Sequence, residues 1–200
     1  GRLPETLRQT PFEPPPPSRA TAIASRTRAL FFGPETAPII VGERINPTGK
    51  KAFSQELLIG KTSYIKKEAI EQKVAGADAL DINVGAASVD EPLMLERGVF
   101  AVNSVVDLPI LLDSSNPMAI EKGLKACDGK PLINSVSGDE GKMELLLRMA
   151  KKYGAGIILL CMDSSGIPMT AEGRIAVAER VLKRARAAGI LDSDVVVDCL

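Results

Sequence analysis

The apolar positions of this chain gather into six short runs, and each run ends on or beside a carboxylate or an amide. They read IIVGERIN (Ile39–Asn46), ALDINVG (Ala79–Gly85), PILLDSSN (Pro109–Asn116), PLINSVSG (Pro131–Gly138), GIILLCMDSSG (Gly156–Gly166) and VVVDCL (Val195–Leu200). Between them, apolar and charged residues alternate as they do on one-sided helices. Near-continuous Val, Ile and Leu runs read as strands covered on both faces, so the pattern predicts a parallel sheet layered with helices. Six successive strands with polar carboxyl ends imply one polar pocket, as at the top face of a (β/α) barrel.

The spacing predicts helices over about Thr62–Val74, Pro92–Val106, Glu140–Tyr153 and Ala171–Ala188, with strands at Ala79–Asn83, Ile110–Asp113, Leu132–Asn134, Gly156–Met162 and Val195–Asp198. Asn116 followed by Pro117 predicts an N-cap and first helical residue, because the Asn side chain accepts from a free N–H where Pro has none to lose. The unit recurs about every 30 residues. Closure of a barrel takes eight such units, so the expectation is a TIM (β/α)8 barrel of which residues 38–200 supply the first six βα units, C-terminally incomplete. A doubly wound sheet stays open on periodicity alone, although the GxGxxG fingerprint is missing after the first strand. Residues 1–37 differ: Pro14 to Pro17 form a four-proline run, and Ala29–Gly33 is an apolar patch too short for a core. They are expected to be an extended Pro-rich interdomain linker docking onto a neighbouring surface, with a disordered end as the alternative.

Twenty-five basic residues balance twenty-five acidic ones, so no charge surplus points to nucleic acid or an anionic membrane. There is no Trp to stack on single strands, no apolar run of the ~20 residues that span a bilayer, and no hydrophobic signal-peptide core at the Pro-rich start. Cys127, Cys161 and Cys199 are odd in number and far apart, which predicts neither a disulfide framework nor a CxxC metal pair and favours a reducing, cytoplasmic location. Histidine is absent, which removes Ser-His-Asp triads, His-ligated zinc and an imidazole base. No metal site is expected. Chemistry here must rest on Asp, Glu, Asn, Ser, Arg or Lys, or on a bound cofactor.

The candidates follow the strands. Glu43, Arg44 and Asn46 come after the first, and Asp81 and Asn83 lie at i and i+2 on the second, facing one side of the sheet. Asp113, Asn134 and Asp198 close the third, fourth and sixth. Asp163-Ser164-Ser165-Gly166 reads better as a turn than as a site. Carboxylates and amides without a metal cluster or a nucleophile–base pair suit a flat heterocycle rich in N–H and C=O groups. A carboxylate accepts two parallel bonds from a guanidine-like edge, such as the N3–H and 2-amino group of a pterin, and an amide both donates and accepts.

Gly42-Glu43-Arg44-Ile45-Asn46, Leu80-Asp81-Ile82-Asn83-Val84-Gly85, Leu112-Asp113-Ser114-Ser115-Asn116 and Ile133-Asn134-Ser135 together resemble the pterin-binding methyltransferases. That family comprises the folate domain of cobalamin-dependent methionine synthase and the methyltetrahydrofolate:corrinoid methyltransferases. The resemblance runs from about Pro38 to Leu200, with four motifs in order. Residues Arg19 to Gly33 resemble the tail of the homocysteine-binding domain that precedes the folate domain, which favours the methionine synthase branch and an adjacent homocysteine-binding domain.

The resemblance implies a TIM barrel with a pterin in its upper cavity, contacted by Asp113, Asn134 and Asp198, with Asp81, Asn83, Glu43 and Asn46 nearby. It implies 5-methyltetrahydrofolate as methyl donor and cobalamin presented by a partner domain or corrinoid protein as acceptor. Two departures matter. The family's catalytic Asn belongs to a seventh strand and is expected beyond Leu200, so no catalytic residue is assigned and the fragment alone is expected to be inactive. The family also often has Pro where this chain has Cys199. The alternatives are a stand-alone corrinoid methyltransferase, dihydropteroate synthase, which shares the barrel and pocket, and a folate-binding fragment without activity. The Glu-Arg-Ile-Asn and Leu-Asp-Ser-Ser-Asn wording argues against the synthase.

Overall fold

A computed structural model describes residues 20–200; the Pro14–Pro17 run lies outside the described residues. Two short strands, β1 (Thr21–Ala24) and β2 (Ala29–Phe32), precede six parallel strands: β3 (Val41–Ile45), β4 (Ala79–Ile82), β5 (Ile110–Asp113), β6 (Leu132–Val136), β7 (Gly156–Leu160) and β8 (Val195–Asp198). The helices are α1 (Lys51–Leu58), α2 (Ser63–Val74), α3 (Glu91–Asn103), α4 (Pro117–Ala126), α5 (Glu140–Tyr153) and α6 (Ala171–Ala187). The six strands pair in chain order, β3-β4-β5-β6-β7-β8, every pair parallel. Sequential βα units wound in one direction form a barrel-type wall; a doubly wound sheet would reverse its strand order.

Strand alternation sorts the residues onto two faces. Leu80, Ile82, Ile110, Leu112, Ile133, Ile157 and Leu159 point outward into one continuous core with the helices. Full burial of each such side chain contributes about 1.5–3 kcal/mol. The alternate positions point inward. Ala79, Leu111 and Leu132 form an apolar lower layer, and Asp81, Asp113 and Asn134 sit above it toward the carboxyl ends. Local signals set the helix limits. Asn116 Oδ1 accepts from Met118 N–H at 3.0 Å with Pro117 in the first turn of α4, and α5 stops at Gly154, whose φ of 68° is left-handed.

The structure departs from the sequence reading in two places. The sequence pattern assigned no element between Gly49 and Thr62, and there the structure has α1, whose N-terminus has no side-chain cap and which is anchored by buried Phe53 and Leu57. An eight-residue helix without a cap leaves little sequence trace, because packing and not propensity holds it. Moreover, residues 21–32, expected as extended linker, form an antiparallel hairpin. Ile23 is fully buried against Ala79, Leu111 and Leu132, with Leu30 and Phe32 packed beside it. The hairpin therefore plugs the lower end of the sheet's own interior.

Polar contacts fix the hairpin in place. Ala24 N–H donates to Lys130 O at 3.0 Å, Arg26 Nη2 donates to Asn103 O at 3.1 Å, and Thr27 Oγ1 donates to Asp107. Gly129 permits the approach, since a Cβ there would lie 2.0 Å from the Ala24 carbonyl oxygen. The segment docks as expected but as a hairpin rather than extended, because four-residue strands around a polar Ser25–Arg28 turn acquire an apolar face only once the barrel floor is present.

Candidate functional site

The polar layer forms where the inward face of the sheet reaches the strand ends. Asp81 is buried on β4 and accepts a hydrogen bond from Asn134 Nδ2 on β6 at 3.0 Å. Asn83, just past β4, donates from Nδ2 to Asp113 Oδ2 on β5 at 2.8 Å and accepts Gly85 N–H at 2.9 Å. Each carboxylate is thus paired with an amide from another strand. The pairs are not independent, because Asp113 and Asn134 are direct register partners on adjacent strands.

This pairing fixes which atoms remain to bind a ligand. One N–H of Asn134 Nδ2 is committed to Asp81, which leaves its second N–H and its side-chain carbonyl oxygen for a ligand. With Oδ2 of Asp113 accepting from Asn83, Oδ1 and the second lone pair of Oδ2 are left. The site presents acceptors, and it matches a ligand edge that donates. These atoms open onto a cavity of about 220 Å³ bounded by Asp113, Ser114, Asn134, Ser135, Ser137 and Lys142, with Met143, Leu146, Leu160 and Met162 as its apolar wall.

Electrostatics distinguishes the two carboxylates. Burial, together with the nearby charges of Asp113 and Glu43, raises Asp81 to about 7 despite the opposing bond from Asn134. Asp81 therefore changes charge near neutral pH. Asp113 is also raised, by burial first and by Glu91 next, with Asn83 pulling the other way. Glu91 opens α3 and accepts from Ser114 Oγ at 2.5 Å; Ser114 Oγ in turn accepts Asn116 N–H at 3.0 Å. Glu91 and Ser114 are neighbours of the site that sequence reading did not single out. An acidic residue in a first helical turn looks like ordinary dipole compensation, and nothing in the sequence sets it beside Asp113.

The remaining candidates lie further out. Glu43 faces the same interior and is close enough to act on Asp81. Asn46 Oδ1 accepts Thr48 N–H at 2.9 Å, holding the loop after β3. Asp198 is on the inward face, in register with Leu160, but it is exposed, its Oδ1 accepts Leu200 N–H at 2.8 Å, and it does not line the cavity. Asp163 closes a turn onto Gly166 and pairs with Arg180 Nη2 at 2.6 Å, the structural role the sequence favoured. Among the described residues no group of three or more His, Cys, Asp or Glu is arranged to hold a metal ion, and no helix is long and apolar enough to cross a membrane.

A one-way sheet with an acceptor-lined pocket at its carboxyl ends defines a protein class, and comparison with known families supplies its name. The profile described as "Pterin binding enzyme" matches residues 42–200, and this chain belongs to that family. The whole of the chain is similar to the methionine synthase of Mycobacterium leprae (strain TN), at 27% identity, and 96% of it to that of Mycobacterium tuberculosis (strain ATCC 25618 / H37Rv), also at 27% identity. The chain spans 16% of the length of each of these relatives. Among solved structures it is similar to 7,8-dihydropteroate synthase from Vibrio fischeri ES114, with a TM-score of 0.61 at 19% identity, covering 90% of this chain and 66% of that one. It is also similar to dihydropteroate synthase from Thermus thermophilus, with a TM-score of 0.59 at 25% identity, covering 88% of this chain and 64% of that one. The barrel-type pterin-binding fold expected from the sequence is the one present.

Proposed function

We propose that this chain is the folate-binding part of a cobalamin-dependent methionine synthase, which binds 5-methyltetrahydrofolate and offers its N5 methyl group to cob(I)alamin. The observation that carries the reading is the coupled Asp81–Asn134 and Asn83–Asp113 pairing, which leaves acceptors aimed at a donor-rich ring edge. The two carboxylate oxygens of Asp113 take the N3–H and 2-amino edge of the pterin, Oδ2 accepting from Asn83 as well, and the Asn134 amide reads a neighbouring polar atom. Asp81, Asn83, Glu43 and Asn46 support the cavity; Asp198, which does not line it, is left out of the ring contacts.

The protein's part in the chemistry is orientation and charge. A tertiary amine is a poor leaving group: the methyl departs without the C–N electron pair, which stays on N5, so N5 must carry a proton by the time the bond breaks in order to leave as a neutral amine, and an anionic, partly dry surround favours that protonated N5. The acceptor cobalt supplies the nucleophilic chemistry when its carrier presents it. This chain has no histidine to ligate cobalt, and a corrin ring far exceeds the cavity described above, so cobalamin is assigned to a separate domain. A homocysteine-binding domain is placed before the hairpin.

The test uses the full-length protein. Titration with 5-methyltetrahydrofolate should show stoichiometric binding, and added cob(I)alamin should lose its absorbance as methyl transfers. Absence of binding would remove the reading. Condensation of a pterin pyrophosphate with p-aminobenzoate would assign the site instead to dihydropteroate synthesis, the activity named for the solved structures of similar fold.

A further inference from the structure

Strand β3 contains a register irregularity opposite Asp81. Gly42 pairs with Leu80 and Ile45 with Ile82, so two residues, Glu43 and Arg44, oppose the single residue Asp81. This is a β-bulge. Without it, strict alternation would turn Ile45 inward. With it, Ile45 stays fully buried in the outer core, Glu43 faces the interior, and Arg44 is the extra residue.

Both backbone polar groups of Arg44, the extra residue, are met by side chains. Arg44 N–H donates to Gln72 Oε1 at 2.8 Å, and Arg44 O accepts from Lys50 Nζ at 2.5 Å. The Arg44 guanidinium reaches outward to Glu68 Oε2 at 2.9 Å. Gln72 and Glu68, one turn apart on α2, are both buried, and Gln72 Nε2 donates back to Glu68 O at 3.2 Å. Burial opposes the charge of Glu68, yet hydrogen bonds from Tyr64 and Arg44 hold its carboxyl below the ordinary range. The approach of Gln72 requires Gly42, where a Cβ would sit 2.5 Å from Gln72 Oε1. A buried acid and a buried amide on a covering helix exceed what packing that helix needs.

We propose that Gln72 and Glu68 are positioning residues for the pterin site: by holding the Glu43–Arg44 bulge from outside the barrel wall, they direct Glu43 at Asp81 inside it. The ligand-binding consequence rests on the proposed function; the orientation of Glu43 does not.

The test follows the titration midpoint of Asp81 in the full-length protein. It is read as the pH-dependent difference in unfolding between each background and the same background carrying Asp81→Asn. The charged groups facing Asp81 are Glu43 from β3 and Asp113 from β5, with the Asn134 amide from β6. Gln72→Met, which keeps volume but loses the acceptor, and Gly42→Ala, which pushes Gln72 away, should each lower the midpoint by roughly half a unit, the size expected when one partly solvated carboxylate withdraws. Glu43→Gln should lower it equally, and Gln72→Met added to Glu43→Gln should lower it no further. Affinity for 5-methyltetrahydrofolate should fall roughly tenfold in the first two variants, as misplaced binding groups do. An unchanged midpoint in both Gln72→Met and Gly42→Ala, or in Glu43→Gln, overturns the proposal. A wild-type protein that does not bind the folate removes the functional reading and leaves the midpoint to decide this one.

Discussion

The lower and upper halves of the sheet's interior are built from the same strands and the same face, yet they do opposite work. At the bottom, Ala79, Leu111 and Leu132 meet Ile23 of the hairpin and exclude water. Two residues further along the same strands stand Asp81 and Asp113, with Asn134 two beyond Leu132, and there buried polarity is retained with both amides engaged. A barrel wall tolerates this division because its N-terminal end needs only closure, whereas its C-terminal ends receive the loops that admit a ligand. Damage to the lower layer should therefore appear as lost stability and damage to the upper layer as lost affinity.

The largest effect expected of this contrast is at the floor. Leu111→Ala should cost up to about 5 kcal/mol of stability, as large-to-small changes in a packed core do. In whatever fraction stays folded, the folate affinity should be unchanged. Chemical denaturation alongside ligand titration checks both. A loss of affinity with intact stability would mean that the two layers are not separable.

Next is the pH dependence of the upper layer. The folded-state value of Asp81 is raised to about 7, well above that of an unfolded aspartate, so between the two values the native state binds the extra proton. The contribution of Asp81 to stability is then most favourable below about pH 4 and declines as pH rises to about 7, by on the order of 4 kcal/mol for this one group. Asp81→Asn should flatten that slope while keeping an acceptor for Asn134. Denaturation midpoints measured across about pH 4 to 8 decide it, and an equal slope in the variant would exclude Asp81 as its source.

Smaller again is the effect on binding of one acceptor. Asp113→Asn exchanges a charged acceptor for a neutral one and should weaken 5-methyltetrahydrofolate binding by ~1.5–3 kcal/mol, roughly 10- to 100-fold. Stability should change little. Unchanged affinity would take Asp113 out of the site. The smallest effect belongs to the rim of the hairpin: Asp107→Asn removes an exposed partner of Thr27 and should barely move the melting temperature. Amide exchange in β1 and β2 should nevertheless quicken. Exchange unchanged from wild type would show that the plug does not depend on the Thr27–Asp107 contact.

Six strands, the shared face of Asp81 and Asn83, and the strand-end places of Asp113 and Asn134 were legible in the order of the residues, because continuous Val/Ile/Leu runs and period-two alternation are local signals, whereas periodicity alone left the strand order open. Asn116-Pro117 and Gly154 were legible as helix limits for the same reason, since caps are written in neighbouring residues. Which polar groups meet was settled only by folding. Asn83 with Asp113 and Asn134 with Asp81 are 30 and 53 residues apart, and no local pattern distinguishes those pairings from others. The Glu43–Arg44 bulge, the place of Glu91 beside Asp113, and the folding of residues 21–32 into a plug are of the same kind. Each is a low-signal segment whose conformation is chosen by a surface that exists only after the barrel wall has formed.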